Sequence, residues 1–205
     1  MPARTLYLTF DDGPDRLGTP PVLEILKLQQ IPATFFVVAQ TAARNSDLLA
    51  RMIDDGHAIG NHSLDHGYGN FFRGKKALKT WVSASETQLR ERTGNATIGF
   101  RPPAGVRMPE LHSALRELKM PLVLWNRRFF DTAFSWTPER ALRSLRAATS
   151  DAVILLHDRQ HPKRLETFLG TLEMYIAAAK DRGFDFKKLE WGMTHDSLRP
   201  RGENS

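Results

Sequence analysis

The chain has 205 residues, of which 41% are hydrophobic and 25% are charged, a composition typical of a globular domain. It contains no cysteine, which excludes disulfide frameworks and thiolate metal sites, so histidine, carboxylate and water would have to hold any metal. The formal net charge of +6 favours a solvated basic surface. No aromatic stripe accompanies the basic residues, so no nucleic-acid partner is expected.

The chain shows neither a secretory signal nor an apolar run long enough to span a bilayer, so we expect a cytoplasmic protein without a transmembrane segment. The sequence carries no signal for an oligomeric state. Internal repeats, low-complexity tracts and linkers are not apparent. We therefore expect a single domain over residues 1–196, followed by a loose C-terminal tail over residues 197–205.

Short apolar runs alternate with amphipathic segments along the whole chain. The apolar runs predict strands at Leu6–Phe10, Ala33–Val38, Ala58–Asn61, Ile98–Arg101, Leu122–Trp125 and Ala152–Leu156. The amphipathic segments predict helices at Pro20–Gln30, Ser46–Asp55, Lys75–Arg92, Pro109–Lys119, Pro138–Thr149 and Arg164–Arg182. Ser46 is expected to cap the second helix and Gly56 to end it. This alternation predicts an α/β fold with a parallel sheet, and six or seven such units favour a closed or nearly closed barrel.

Two adjacent carboxylates, Asp11 and Asp12, follow the first predicted strand and precede a Gly-Pro turn. Two like charges this close cost free energy unless a cation or a shared proton compensates. Because successive strand residues point in different directions, one carboxylate can hold a metal while the other faces a substrate water. The alternative is a solvated Asp-Gly turn.

Two histidines, His62 and His66, directly follow the third predicted strand. On a helical turn, residues at this spacing share one face, and we expect Ser63 and Asp65 to begin such a turn. Two histidines with one carboxylate leave a position open for water, which is the arrangement of a catalytic metal site. The alternative is a pair of surface histidines.

Two further polar residues occur at strand ends. Arg101 precedes two prolines that would fix the chain and aim its guanidinium at a carboxylate, although a structural salt bridge would have the same pattern. His157 ends the most apolar strand. Barrel enzymes carry their active sites at the carboxyl ends of the strands, so four polar strand ends favour one shared site.

The sequence resembles the polysaccharide deacetylases with a NodB homology domain, also called carbohydrate esterase family 4. The resemblance covers about Leu6 to His157. It rests on four motifs in the family's order, Thr9-Phe-Asp-Asp-Gly-Pro14, His62-Ser-Leu-Asp-His66, Arg101-Pro-Pro-Ala-Gly105 and Leu155-Leu-His157. Two neighbouring segments also match, Pro32-Ala-Thr-Phe-Phe36 and Gly56-His-Ala-Ile-Gly-Asn-His62.

The resemblance implies a distorted (β/α) barrel of about seven strand–helix units and one divalent metal ion, most often zinc. Cobalt, nickel and iron also suit such a donor set. It implies that the metal ligands are Asp12, His62 and His66. It also implies that Asp11 is the general base and is held by Arg101. His157 would be the general acid, oriented by Asp131. The implied substrate-binding residues are Pro103, Ala104, Gly105, Trp125 and Leu155.

The sequence departs from the family pattern at two positions. Ala104 stands where the family often has an aromatic residue. Asp131 is followed by Thr132 where the family commonly has tryptophan, and the nearest later tryptophan is Trp136. Both positions lie near the substrate in relatives, so the departures concern sugar specificity.

These residues predict a hydrolase that removes N-acetyl groups from the amino sugars of a polysaccharide or oligosaccharide. A divalent metal would polarise the amide carbonyl and lower the pKa of water. Asp11 would take a proton from that water, and His157 would give one to the leaving amine. A backbone N–H of the Arg101–Gly105 loop would help to stabilise the oxyanion.

Three other functions remain open. The first is a hydrolase of the same fold that acts on a non-sugar amide. An inactive sugar-binding module would be favoured if Asp11 or His157 were missing, and both are present. A nucleic-acid-binding protein is suggested only by the positive charge.

The remaining histidines and aromatic residues are expected to serve packing or to lie at the surface. His57 is interpreted as a packing residue, and the predicted surface histidines are His112, His161 and His195. The aromatic residues interpreted as core or rim residues are Trp81, Trp191, Phe35, Phe36, Phe129 and Phe130, and either of the last two can line a sugar cleft.

Overall fold

The computed structural model describes residues 4–193, which form one parallel sheet surrounded by helices. The strands are β1 (Arg4–Asp11), β2 (Thr34–Val37), β3 (Ala58–Asn61), β4 (Arg127–Arg128), β5 (Ala152–His157) and β6 (Phe184–Phe186). The α-helices are α1 (Thr19–Leu28), α2 (Ala39–Arg44), α3 (Ser46–Asp54), α4 (Gly74–Thr93), α5 (Pro109–Glu117), α6 (Pro138–Arg146) and α7 (Pro162–Asp181). Two short 3-10 helices cover Tyr68–Phe72 and Pro103–Gly105.

The sheet runs in the order β3-β2-β1-β5-β4, and β6 pairs with the first residues of β1. All pairs are parallel, so every strand ends at the same rim of the sheet. Residues 5–11 of β1 are all buried, as expected for a parallel strand covered on both faces. In the register between β1 and β5, Asp11 lies opposite His157, which brings these two strand ends together.

Two predicted strands are reduced to single bridges. Within Ile98–Arg101 only Phe100 pairs, with Asn61 on one side and Leu122 on the other, and Leu122 is likewise the only paired residue of Leu122–Trp125. Prolines at 102, 103 and 121 lack the N–H group that a longer ladder requires, which accounts for the short pairing.

The chain between Pro121 and Arg128 closes the barrel because it changes partner along its length. It pairs at Leu122 with Phe100 and then, as β4, with β5. The two edges of the sheet are thus joined by one irregular segment rather than by two regular strands. This geometry confirms the predicted α/β barrel and explains its distortion.

The predicted helices are all present, with ends within three residues of the expected positions. Besides the two 3-10 helices, three elements were missed: the six-residue helix α2, the two-residue strand β4 and the three-residue strand β6, which are too short for a periodic pattern to show. The N-cap of α3 is Asn45, without a side-chain cap bond, so the prediction that Ser46 caps this helix was wrong. Gly56 follows the helix with φ +85°, as a terminating glycine does.

Aromatic residues contribute much of the main hydrophobic core. Phe10 stacks on Phe35 with 5.1 Å between ring centroids, and Trp136 packs against Phe129 at 4.7 Å. Among residues 4–193, no helix combines the length and apolar character needed to cross a bilayer. The predicted tail over residues 197–205 lies outside the described residues, as does the end of the predicted domain.

Candidate functional site

A cavity of about 240 Å³ opens where β1, β3 and β5 end. Its wall combines the carboxylates and histidines of the sequence motifs with aromatic and basic side chains. The lining residues are Asp11, Asp12, His62, His66, Tyr68, Ala104, Trp125, Arg128, Phe130, Thr132, Leu155 and His157. The four polar strand ends of the sequence therefore converge on one site, as the barrel topology predicts.

Asp11 is held by the fully buried Arg101. The Nη1 group of Arg101 donates to Asp11 Oδ1 at 2.8 Å and to Thr9 Oγ1 at 2.7 Å. The guanidinium lies over the Phe36 ring at 3.8 Å, and burial lowers the pKa of Arg101 while Asp11 opposes this shift. The ion pair fixes one carboxylate oxygen of Asp11 and leaves Oδ2, which lies 3.8 Å from His62 Nε2.

Asp12, His62 and His66 each offer one ligand atom, and these three atoms lie within 4.8 Å of one another. Asp12 Oδ1 lies 3.3 Å from His62 Nε2 and 3.2 Å from His66 Nε2. A tetrahedral zinc site with bonds of about 2.0–2.2 Å requires donor atoms roughly 3.3 Å apart, so this donor set fits a divalent ion. Burial raises the pKa of Asp12, but hydrogen bonds from both histidines outweigh it and hold the pKa well below its usual range.

The tautomer of His62 is fixed by the loop that follows Phe100. His62 Nδ1 lies 2.8 Å from the backbone carbonyl of Arg101, which can only accept a hydrogen bond. Nδ1 of the ring therefore carries a proton, and Nε2 is the nitrogen that faces Asp12 and could bind a metal. Such a contact is the usual way in which a protein orients a metal-binding histidine.

The two histidines meet on an irregular loop, so the prediction of a helical turn between them was wrong. Ser63 and His66 have φ values of +77° and +59°, which a right-handed turn does not permit. Asn61 Oδ1 accepts the N–H of Ser63, and Ser63 Oγ accepts the N–H of His66. These two bonds fold the loop so that both rings face Asp12.

His157 is oriented by Asp131, which lies in the loop after β4. Asp131 Oδ1 lies 2.9 Å from His157 Nδ1, while its Oδ2 accepts the backbone N–H of His157 and the side-chain amide of Gln160, each at 2.8 Å. Burial lowers the pKa of His157, but the hydrogen bond and charge of Asp131, followed by the nearby aspartates, raise it to about 9. The imidazolium can therefore present its free Nε2–H to the cavity at neutral pH.

Three of the five predicted substrate-binding residues line the cavity, namely Ala104, Trp125 and Leu155. Pro103 is buried, and Gly105 lies behind Trp125, where an added Cβ would approach the indole to 2.5 Å. These two residues support the wall rather than form it. Direct substrate contact by any of the five stays a prediction.

The loop after β4 carries the altered motif around Asp131. Trp136 is 1% exposed and packs in the core, so it does not reach the cavity. Phe130 and Thr132 flank Asp131 and line the cavity instead. Phe130 has φ +55° and carries the Arg128 guanidinium over its ring at 3.9 Å.

Sequence reasoning missed several residues of the site. Thr9 lies within the first motif, and its buried hydroxyl, which accepts from Arg101 and donates to the Ile154 carbonyl, could have been suspected from a polar residue in an apolar strand. Tyr68 meets the His66 ring edge-on at 5.2 Å, and no pattern indicated it. Asp158 is fully buried beneath the loop after Asp12, with its Oδ2 bonded to Thr19 Oγ1, and burial raises its pKa to about 7.

Of the histidines and tryptophans expected to lie outside the site, those that the structure describes do so. His57 is buried and its Nδ1 accepts the N–H of Ala33, while burial lowers its pKa to about 4, which confirms a packing role. His112 and His161 are exposed, and His195 lies outside the described residues. Trp81 is buried and Trp191 is 56% exposed.

Comparison with known proteins identifies relatives of this architecture. The chain is 27% identical to the peptidoglycan-N-acetylglucosamine deacetylase PgdA of Listeria monocytogenes over 91% of its residues, but it spans only 38% of that relative's length. It is 29% identical to the chitooligosaccharide deacetylase of Sinorhizobium fredii, covering 91% of each chain.

A solved structure has a similar fold. It is a family 4 acetyl xylan esterase from Clostridium thermocellum in complex with a cobalt ion, with a TM-score of 0.80 and 28% identity, covering 90% of this chain and 88% of that one. The family profile described as polysaccharide deacetylase matches residues 1–123, which confirms the resemblance seen in the motifs. Matched over more than half of its length, the chain belongs to the polysaccharide deacetylase family.

Proposed function

We propose that this protein is a metal-dependent hydrolase that removes N-acetyl groups from the amino sugars of a glycan. The observation that carries the proposal is the common cavity of Asp11, the three metal-compatible donors and His157. A base and an acid on either side of a Lewis-acid site are the groups that amide hydrolysis requires. The relatives named as deacetylases of peptidoglycan and chitooligosaccharide support the substrate class.

Asp11 acts as the general base in this proposal. Its Oδ1 is occupied by Arg101, so Oδ2, on the side of the metal donors, takes the proton of the attacking water. Asp12, His62 and His66 would hold a divalent ion, which would polarise the amide carbonyl and lower the pKa of water. The water oxygen bonds to the acetyl carbon as its proton passes to Asp11.

The oxyanion is stabilised by one backbone N–H of the loop after Phe100. The N–H groups of Arg101 and Gly105 are bonded to the carbonyls of Asn61 and Pro102, and the two prolines between them have none. Within residues 101–105 of the described chain, only Ala104 keeps an unbonded N–H, and Ala104 lines the cavity. Because this donor is a backbone group, alanine in place of an aromatic residue leaves it intact.

His157 acts as the general acid. Its Nδ1 is engaged by Asp131, so its Nε2–H gives a proton to the sugar nitrogen as the carbon–nitrogen bond breaks. The products are acetate and a free amino sugar. Ala104, Trp125 and Leu155 on the cavity wall would contact the substrate.

The proposal is tested by acetate release from short N-acetylglucosamine oligomers, with metal-stripped protein and after addition of zinc or cobalt. We expect release only with metal. A protein that binds zinc but releases acetate from none of these oligomers would contradict the proposal and direct the search to non-sugar amides.

A further inference from the structure

The side chain of Asn61, the residue before His62, is fully buried and forms hydrogen bonds through both ends of its amide. Its Oδ1 accepts the backbone N–H of Ser63 at 2.9 Å and the hydroxyl of Ser85. Its Nδ2 donates to Glu86 Oε2 at 3.1 Å. Ser85 and Glu86 belong to α4, so this one amide joins that helix to the loop of the two histidines.

The partners of Asn61 allow only one orientation of its amide. A carboxylate can only accept hydrogen bonds, and a backbone N–H can only donate one. In the reverse orientation the NH₂ group would face the N–H of Ser63, and the amide oxygen would face the carboxylate of Glu86. Glu86 and Ser85 therefore determine that the oxygen of Asn61 faces the loop.

Glu86 is itself held by Thr97, which lies on the segment that leads to Phe100. The N–H of Thr97 donates to Glu86 Oε1 at 2.9 Å, and its hydroxyl donates to Oε2 at 2.7 Å. Thr97 is buried, and both carboxylate oxygens are engaged. The carboxylate therefore cannot rotate away from Asn61 without losing these bonds.

The loop that Asn61 supports has a strained backbone. Ser63 and His66 both have positive φ values, which cost free energy in residues other than glycine. Asn61 acts on His66 through Ser63, because Ser63 Oγ accepts the N–H of His66 at 3.0 Å. We expect a loop released from Asn61 to relax and to turn its histidines away from Asp12. A site that is competent for only part of the time binds its ligand with an affinity reduced by that fraction.

We propose that Ser85 and Glu86 are positioning residues, which set the metal affinity of the site by holding the Asn61 amide against the loop of His62 and His66. The proposal rests on the metal site of the proposed function. It adds two residues of α4 that act through Asn61 rather than by contact with the metal, the water or the sugar.

The first test measures the zinc affinity of Glu86→Gln by competition with a chromophoric chelator. Glutamine keeps the shape of the side chain, but its NH₂ group must face either the N–H of Thr97 or Nδ2 of Asn61. We expect about 10-fold weaker zinc binding, the usual effect of changing a residue that orients a metal ligand. Glu91→Gln is the matched control, because it removes the same charge from an exposed position of α4 and should bind zinc like the wild type.

The second test uses Ser85→Ala, which removes a donor to Asn61 without changing any charge. The bond from Ser63 remains, so we expect zinc binding to weaken by about 5-fold, the net value of one neutral hydrogen bond. Ser83→Ala, on the exposed face of the same helix, should keep the wild-type affinity. Thermal unfolding of the metal-free variants measures stability separately. A loss of stability with unchanged zinc affinity would show a merely structural role and overturn the proposal.

An exchange of the two groups tests the orientation of the amide. Asn61→Asp alone places two carboxylates against each other, whereas Asn61→Asp with Glu86→Gln restores one donor and one acceptor and keeps the charge of the pair. We expect the double variant to bind zinc more tightly than either single variant. If charge alone mattered, Asn61→Asp would bind most tightly, and that result would overturn the proposal.

Acetate release separates the failure of this proposal from the failure of the proposed function. Zinc-dependent release by the wild type, with unchanged zinc affinity in Glu86→Gln and Ser85→Ala, overturns the positioning role and leaves the deacetylase function standing. Weaker zinc binding in both variants, without acetate release by the wild type, supports the positioning role and contradicts the deacetylase function.

Discussion

Asp11 and Asp12 are adjacent in the sequence but have different partners. Asp11 is buried against Arg101, whereas Asp12, at φ +76°, turns toward the histidines. A residue in this left-handed region is strained unless its surroundings hold it, and such strain is common at functional sites. The backbone thus gives two neighbouring carboxylates separate roles.

Asp11→Asn should lose turnover while keeping its metal. The amide cannot take a proton from water, and general-base catalysis contributes about 10²–10⁴-fold to rate. The measurement is acetate release together with metal content by atomic absorption. Asp12→Ala is the companion variant and should lose metal and activity together, so retained turnover in Asp11→Asn would remove Asp11 from the base role.

Asp131→Asn should shift the alkaline limb of the pH profile to lower pH. His157 must be protonated to act as an acid, so kcat/KM falls as pH rises through its pKa. The Asp131 carboxylate raises that pKa to about 9 against the effect of burial, and the amide removes its charge. The check is kcat/KM from pH 6 to 10 in both proteins, and an unchanged alkaline limb would contradict the assignment of His157 as the acid.

Asp158→Asn should gain stability relative to the wild type as the pH rises from 5 to 8. The folded-state pKa of Asp158 is raised to about 7 from 3.8, so its stabilising contribution is complete below about pH 4 and is lost as pH rises through 7. The difference in unfolding free energy should change by about 1.4 kcal/mol per pH unit between about pH 4 and pH 7 and level off above pH 7. Denaturant titrations of zinc-loaded protein measure it, and a difference that is flat with pH would refute the raised pKa.

At the scale of elements, the site depends on strand ends and on irregular loops. The polar residues that end regular strands, such as Asp11 and His157, were placed correctly from the sequence because apolar runs mark the strands. The loop of His62 to His66 was not, since Asn61 and Ser63 side chains replace the backbone bonds that a helical turn would make. The spacing of apolar residues in the sequence does not reveal such side-chain hydrogen bonds.

Gly60→Ala should destabilise the barrel beneath Arg101. A Cβ at Gly60 would approach the Phe36 ring to 2.3 Å, and that buried ring supports the Arg101 guanidinium. Overpacking of this kind costs about 1–3 kcal/mol. Gly170→Ala is the matched control: it lies in α7 with nothing within 4 Å and should stabilise by roughly 0.5–1 kcal/mol. Thermal unfolding measures both, and equal effects of the two substitutions would contradict the packing account.

At the scale of the whole molecule, strand–helix alternation was sufficient to predict the barrel but not its closure. The segment from Pro121 to Arg128 joins the two edges by changing partner, and its single bridges and two-residue strand leave no periodic pattern. The same segment leads into the loop that carries Phe130 and Asp131. The part of the site that sequence reasoning described least well therefore lies where the barrel is least regular.

The measurement that tests the central proposal most directly is a zinc titration of the metal-stripped protein, followed by acetate release from an N-acetylglucosamine oligomer. The account predicts activity that rises in proportion to zinc and saturates at one equivalent, because Asp12, His62 and His66 form a single donor set. Asp12→Ala should stay inactive throughout the titration. Activity that is independent of zinc, or equal in the variant, would contradict the account.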